Sequence, residues 1–195
     1  TEDLRGVSRT AVVFLGDNVY PAGVPANEST PEADTARRIL EAQITASAAA
    51  DHVLFMPGNH DWNNSRSGGL DRIRAQGALI GQLAGTDHPA RMLPSNGCPG
   101  PATLVLDSLV RLVIIDTEWL LTDDDPKLKP VGVGTGCHYG DPEAPVSFDD
   151  GLTRETFYRA LEEELQPSDL PLVLLSHHPL RSRGPHSGDL RSGWV

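Results

Sequence analysis

The sequence predicts an α/β fold, and three apolar runs are the evidence for it. Residues 12–15, 53–56 and 172–175 are continuous apolar segments, and each is followed at once by residues able to bind a metal ion. Short apolar runs of this kind are typical of buried strands. In an open α/β sheet, ligands gather beyond the carboxyl ends of the strands. The three loops are therefore expected to converge in space.

The first part of the chain predicts a β-α-β unit. Residues 11–15 read as a strand, residues 31–50 as a helix, and residues 53–56 as the next strand. The two strands of such a unit run parallel. Asp17 and Asn59, which follow them, should therefore emerge at the same edge of the sheet.

Further elements alternate along the rest of the chain. Residues 122–150 are rich in Pro and Gly and have little periodicity, so they predict an irregular insertion or a lid. The other predicted elements are a helix, two antiparallel strands, a second helix and a last strand, at residues 69–83, 102–106, 111–116, 153–165 and 171–175.

Composition predicts one domain and argues against two kinds of partner. The chain has 195 residues, 38% of them hydrophobic, which is enough for a single core over residues 1–195. A net charge of −11 argues against nucleic acid as a main partner, because phosphate backbones attract basic surfaces. The apolar runs fall short of the roughly 18 residues that a membrane-spanning helix needs, so no membrane span is expected. The oligomeric state stays open.

The two cysteines indicate in which cellular compartment the protein is found. Cys98 and Cys137 are the two cysteines of the sequence, and both lie in irregular, Gly-rich stretches. A disulfide between them is plausible and would favour a periplasmic or secreted location, because such bonds persist in oxidising compartments. Two unpaired thiols in the cytosol are the alternative.

Four residues after the apolar runs predict a centre for two metal ions. Asp17 is the natural bridge between two cations, because a shared site needs an anionic ligand. Tyr20 can add a phenolate, Asn59 an amide oxygen and His177 an imidazole nitrogen. This mixture of nitrogen and oxygen ligands suits iron, zinc or manganese.

His60 is then left for the substrate. Water held between two cations loses a proton near neutral pH, and the resulting bridging hydroxide attacks phosphorus in line. His60 would steady the phosphoryl oxygens or the leaving group as the catalytic side chain. The predicted reaction is the hydrolysis of a small phosphate ester.

Other polar residues near the motifs have less specific interpretations. Asn18, His178, Arg181 and His186 are candidate substrate-binding residues. A turn at Asn18, packing of His178, and solvated surface positions for Arg181 and His186 are the alternatives. Asp116 either approaches the same crevice or closes a strand end by hydrogen bonds.

Three motifs, in this order, resemble those of the calcineurin-like metallophosphoesterase superfamily: Gly16-Asp17-x-x-Tyr20, Gly58-Asn59-His60-Asp61 and x-x-His177-x-Pro179. The tyrosine variant resembles the purple acid phosphatase branch. The resemblance implies a four-layer α/β/β/α sandwich in which Asp17 bridges two metals. It also implies that Tyr20, Asn59 and His177 are ligands and that His60 contacts the substrate phosphate.

Two motifs of that family are missing from the sequence. One is an Asp-x-Gly or Asp-x-His motif before residue 11, and the other is a Gly-His-x-His motif after the histidine pair. We therefore expect an incomplete sandwich without its first strand and C-terminal part. The chain would be a fragment of a longer enzyme and inactive by itself.

The resemblance implies a phosphomonoesterase or phosphodiesterase. A nucleotide or cyclic-nucleotide phosphodiesterase is an alternative that shares the metal centre. A metallophosphoesterase-like binding module without catalysis is a second alternative, which the missing motifs would permit.

Overall fold

The computed structural model describes residues 9–179, and the chain divides into two compact units. The first unit ends at Leu93 and the second begins at Pro94. Both contain helices and strands, which confirms the predicted α/β class. The single domain over residues 1–195 stays a prediction. Within residues 9–179, no helix is both long enough and apolar enough to cross a bilayer.

The first unit alternates strands with helices. Its elements in chain order are β1 (Ala11–Phe14), α1 (Pro31–Ala46), β2 (His52–Phe55), α2 (Gly69–Ala84) and β3 (Ala90–Met92). The strands are parallel in the order β1-β2-β3, which confirms the β-α-β prediction. Helix α1 ends four residues before the predicted boundary, where Ser47 bonds through its hydroxyl to the carbonyls of Gln43 and Ile44. Three residues are too few for β3 to show a sequence pattern.

Strand β2 is the buried centre of the first sheet. Val53, Leu54 and Phe55 expose at most 2% of their surface, so both faces of the strand are covered. A parallel strand covered on both faces has a continuous apolar sequence, as this one does. Burial of each side chain contributes roughly 1.5–3 kcal/mol. The Phe14 and Phe55 rings stack across the strands at 4.4 Å, which brings the ends of β1 and β2 together.

The loop after β2 packs closely on the beginning of α2. A Cβ atom placed on Gly69 would lie 2.2 Å from the carbonyl oxygen of Trp62, well inside van der Waals contact. The side chain of Trp62 is fully buried. Glycine at the first position of α2 therefore lets the helix meet the backbone of this loop.

The second unit has a mixed sheet. Its elements in chain order are β4 (Ala102–Leu106), β5 (Val110–Ile114), α3 (Thr117–Leu121), β6 (His138–Tyr139), β7 (Val146–Ser147), α4 (Arg154–Glu164) and β8 (Leu172–Leu175). Strands β4 and β5 pair antiparallel, as predicted, and β8 adds parallel to β5. The carboxyl ends of β5 and β8 consequently lie side by side.

Helix α3 was not predicted, because five residues are too few to show helical periodicity. Asp116 is its N-cap and accepts hydrogen bonds from the backbone N–H groups of Glu118 and Trp119. Of the two interpretations for Asp116, the structure therefore shows the one in which it closes the strand end by hydrogen bonds.

The segment 122–150 is anchored within the second unit. The ammonium of Lys129 is buried and donates to the carbonyls of Trp119 and Thr122 at 2.8 and 2.7 Å, and it also pairs with Asp124. The predicted disulfide is present between Cys98 and Cys137. These contacts hold the first half of the segment, and its role as a lid stays a prediction.

We expect Gly69→Ala to lower the free energy of unfolding by about 1–3 kcal/mol, because the added methyl group would overlap the carbonyl of Trp62. Gly81→Ala in the same helix is the control, since a Cβ there meets open space. It should raise stability by up to about 1 kcal/mol through helix propensity. Urea unfolding followed by circular dichroism measures both, and equal effects would contradict the close packing at Gly69.

We expect the double variant Cys98→Ala/Cys137→Ala to destabilise the second unit. The bond closes a loop with a sequence separation of 39 residues, and its loss should cost about 4 kcal/mol by chain entropy. Hydrogen exchange should therefore speed up at β4 and β5, while α1 in the first unit serves as the internal reference. Unchanged exchange at β4 and β5 would rule out a stabilising role.

Candidate metal centre

Two loops meet at the carboxyl ends of β1 and β2. Phe14 and Phe55 are register partners, so the loops that follow leave the sheet side by side. The backbone N–H of His60 donates to Asp17 Oδ1 at 3.0 Å. Asp17 and Asn59 thus emerge at the same edge, as predicted, and a direct hydrogen bond joins their loops.

A left-handed turn presents Asp17. Gly16 and Asp17 have φ angles of 92° and 56°, a conformation that glycine adopts freely and aspartate tolerates better than most residues. The Tyr20 hydroxyl donates to Asp17 Oδ2 at 2.7 Å. Each oxygen of the carboxylate therefore accepts a hydrogen bond from the surrounding loops.

Tyr20 lies at the surface beside this carboxylate. Its side chain is 59% exposed, and its ring centroid lies 4.2 Å from that of His60. The hydrogen bond to Asp17 raises the pKa of Tyr20 above the usual 10.0, with smaller effects from desolvation and from the charges of Asp17 and Asp61. The neutral phenol is therefore the form that holds the Asp17 contact when no cation is bound.

The ring of His60 has a defined orientation. His60 Nδ1 lies 2.7 Å from the carbonyl oxygen of Pro21. Because a carbonyl can accept but not donate, Nδ1 must carry the hydrogen. Nε2 is then the nitrogen left to act as acceptor in the neutral ring or as donor in the charged ring.

Asp61 joins the two loops through buried hydrogen bonds. Its side chain is fully buried, and Oδ2 accepts from Gly58 N at 2.9 Å and from Asn18 N and Nδ2 at 3.3 and 3.1 Å. Oδ1 accepts from Val19 N at 3.2 Å. Burial raises the pKa of Asp61 to about 6, although the N–H groups of Gly58, Asn18 and Val19 oppose the shift.

Asn18 is part of this buried junction. It is 5% exposed, and its side-chain amide donates to Met56 O at 2.8 Å as well as to Asp61. Its own carbonyl accepts from Gln43 Nε2. Both amide hydrogens are thus used inside the first unit, and a substrate contact for Asn18 stays a prediction.

Asn59 is held by a residue that sequence reasoning missed. Asn59 Nδ2 donates to Asn64 Oδ1 at 2.8 Å, and the backbone N–H of Asn64 donates to Asn59 O at 2.7 Å. The available signal was the run Asn63-Asn64-Ser65, since Asn is enriched in left-handed turns and all three residues have φ near 55°.

The histidine pair lies in the second unit, directly after β8. His178 Nδ1 is 2.9 Å from Thr117 Oγ1, and its backbone N–H donates to the same hydroxyl oxygen at 3.1 Å. His178 Nε2 lies 3.8 Å from Glu118 Oε2. Thr117 and Glu118 thus pack around His178 and orient the turn that carries His177, and neither contact with His178 was predicted from the sequence. The ligand role of His177 and the substrate role of His178 stay predictions.

The oxygen donors of the first unit suit a cation. Asp17 Oδ2 and the Tyr20 hydroxyl oxygen are 2.7 Å apart, so both can lie within the roughly 2.0–2.2 Å bonding distance of one metal ion. Within residues 9–179, no group of three or more His, Cys, Asp and Glu side chains is placed to hold a metal. The fit therefore rests on carboxylate, phenol and amide oxygens. Arg181 and His186 lie outside the described residues.

No protein-family model matches the chain, and searches of curated proteins and of solved structures give no significant match.

We expect Asp61→Asn to change how stability depends on pH. The folded-state pKa of about 6 exceeds the ordinary 3.8, so the protonated acid is favoured in the folded state. The contribution of protonated Asp61 to the free energy of unfolding is fully present below about pH 4. It is lost as pH rises through about 6, which lowers the free energy of unfolding by up to about 3 kcal/mol. Asparagine does not titrate, so the variant should lack this decline.

Urea unfolding between pH 4 and 7, with chelator present, measures this dependence. Asp87→Asn is the control, because Asp87 is exposed and accepts from the hydroxyl of Thr86. Its profile should run parallel to that of the unaltered protein. A parallel profile for Asp61→Asn would show that Asp61 does not titrate in this range.

Proposed function

We propose that this protein hydrolyses small phosphate esters with the help of two bound metal ions. The observation that carries the proposal is the cluster at the ends of β1 and β2. There, Asp17 accepts hydrogen bonds from His60 N and Tyr20 Oη, and Asn59 lies in the same loop as His60. Carboxylate, phenol, amide and imidazole groups side by side at parallel strand ends suit metal-dependent hydrolysis.

Each ligand has a proposed role. Asp17 would bridge the two ions, because it is the anionic group of the cluster and its two oxygens face different neighbours. Tyr20 would offer its hydroxyl oxygen and Asn59 its amide oxygen. An imidazole ligand from His177 stays a prediction from its motif. Iron, zinc or manganese suits this mixed set.

The bound metal ions would supply Lewis acidity and an activated water at neutral pH. The chain's own contribution to catalysis is then the placement of His60. With the Nδ1 hydrogen committed to Pro21 O, the imidazole presents Nε2 on its other side. A protonated His60 would donate from Nε2 to a phosphoryl oxygen or to the leaving oxygen, where negative charge develops in the transition state.

A cavity beside Tyr20 is consistent with a small substrate. It has a volume of about 310 Å³, and its lining includes Tyr20, Pro21, Thr35 and Arg72. Arg72 Nη1 donates to the carbonyl of Gly23 at 3.3 Å. The cavity shares Tyr20 and Pro21 with the candidate centre, and under this proposal it would receive the organic part of an ester.

The wider features of the resemblance belong to the same proposal. We propose that the chain is a calcineurin-like metallophosphoesterase, close to the purple acid phosphatase branch. The proposed fold is the four-layer α/β/β/α sandwich. Asn18, His178, Arg181 and His186 are the proposed substrate contacts. A periplasmic or secreted location fits the Cys98–Cys137 disulfide, because such bonds persist in oxidising compartments.

Metal binding and its loss on substitution of Asp17 test the proposal. The full-length protein is purified, treated with chelator and then titrated with Mn²⁺, Zn²⁺ or Fe²⁺, and its metal content is measured by elemental analysis. Hydrolysis of p-nitrophenyl phosphate and bis(p-nitrophenyl) phosphate is assayed before and after reloading. The reloaded protein should retain bound metal, and the metal-free protein should not hydrolyse either ester.

Asp17→Asn should weaken metal binding by more than the roughly 10–100-fold that outer hydrogen-bond partners typically contribute, because it removes the bridging charge. Asp87→Asn should bind metal like the unaltered protein. A protein that binds none of these ions, or hydrolysis that persists in chelator, would overturn the proposal. The ratio of monoester to diester turnover then identifies the substrate class.

A further inference from the structure

Asn64 clamps Asn59 at two points. Its backbone N–H donates to Asn59 O at 2.7 Å, and its side-chain oxygen accepts from Asn59 Nδ2 at 2.8 Å. The first contact closes the loop, and the second holds the side chain of Asn59 itself. Asn64 lies five residues after the candidate ligand and outside the Gly58-Asn59-His60-Asp61 motif.

An unusual backbone brings Asn64 back to Asn59. Asn63, Asn64 and Ser65 have φ angles of 54°, 54° and 57°, three successive residues in the left-handed region. Residues other than glycine adopt this region at an energetic cost, and asparagine is among those that adopt it most readily. The tight reversal returns the side chain of residue 64 to the start of the loop.

In the observed arrangement, with Asn64 Oδ1 as the acceptor, this contact sets which end of the Asn59 amide faces Asn64. A side-chain amide carries an acceptor oxygen and a donor nitrogen of nearly equal size, and rotation by half a turn exchanges them. A cation binds the oxygen and is repelled by the NH₂ group. With Nδ2 directed to the Asn64 oxygen, Oδ1 is the end of the amide that does not face Asn64.

We propose that Asn64 is a positioning residue that sets the amide of Asn59 for metal binding. The inference rests on the proposed function, because it assigns Asn64 a task only if Asn59 is a ligand. Hydrogen-bond partners of metal ligands commonly tune affinity in this way by holding the ligand in its binding orientation. The loop closure by the backbone N–H of Asn64 is a separate structural role that any residue but proline can fill.

Glycine substitution separates the two roles. Asn64→Gly keeps the backbone N–H and readily adopts φ 54°, and it removes the side-chain acceptor. Asn63→Gly is the matched control. Asn63 has the same φ and residue type, but its Nδ2 donates to Ser67 O at 3.3 Å, away from Asn59. Asn64→Asp retains an acceptor oxygen for Asn59 Nδ2 and tests for rescue.

Calorimetric titration of the metal-free protein with Mn²⁺ or Zn²⁺ gives the affinities, and thermal unfolding of the metal-free variants checks folding. Asn64→Gly should weaken binding about 10–100-fold. Asn63→Gly should stay within about twofold of the unaltered protein, and Asn64→Asp should restore most of the lost affinity.

Equal losses in Asn64→Gly and Asn63→Gly would overturn the inference, since a general change in loop stability would then explain both. A loss in Asn64→Asp as large as that in Asn64→Gly would also overturn it. These outcomes leave metal binding by the unaltered protein intact. Absence of metal binding in the unaltered protein would instead overturn the proposed function, and the role of Asn64 with it.

Discussion

The buried carboxylate of Asp61 is the interaction on which the candidate centre depends. It accepts four hydrogen bonds from Gly58, Asn18 and Val19, so one side chain joins the loop after β1 to the loop after β2. A buried acceptor with several N–H partners is costly to leave unsatisfied, and both loops are therefore held in one arrangement. The positions of the side chains next to this junction therefore depend on these hydrogen bonds.

The junction divides the polar residues between two tasks. Asp61 and Asn18 face inward and hold the loops together, whereas Asp17, Tyr20 and His60 contact one another at or near the surface. Asp17 accepts from Tyr20 Oη and His60 N, and His60 donates to Pro21 O. Backbone groups thus orient the Asp17 carboxylate and the His60 ring without a ligand, and this would lower the reorganisation energy of the proposed binding and catalysis.

The second unit uses a comparable arrangement after its parallel strands. Asp116 caps α3 at the end of β5, and the neighbouring Thr117 and Glu118 surround His178 after β8. The short helix is therefore a support for the histidine turn. In both units, a carboxylate with backbone N–H partners follows a strand, and residues next to it in the chain contact a side chain proposed for metal or substrate.

The sequence by itself determined the α/β class, the long elements, the parallel pairing of β1 with β2 and the common edge for Asp17 and Asn59. These features follow from local hydrophobic patterns and from the geometry of a β-α-β unit, so they need no distant contacts. The tertiary structure alone decided the hydrogen-bond partners of residues distant in the chain: the buried role of Asn18 and the packing of Glu118 against His178. The contact of Asn64 with Asn59 is local, but the run Asn63-Asn64-Ser65 indicates only a turn and not this partner. The sequence does not show which partner a polar side chain will bond to, because the same side chain can cap a turn, bind a ligand or bridge two loops. Only folding brings distant partners together.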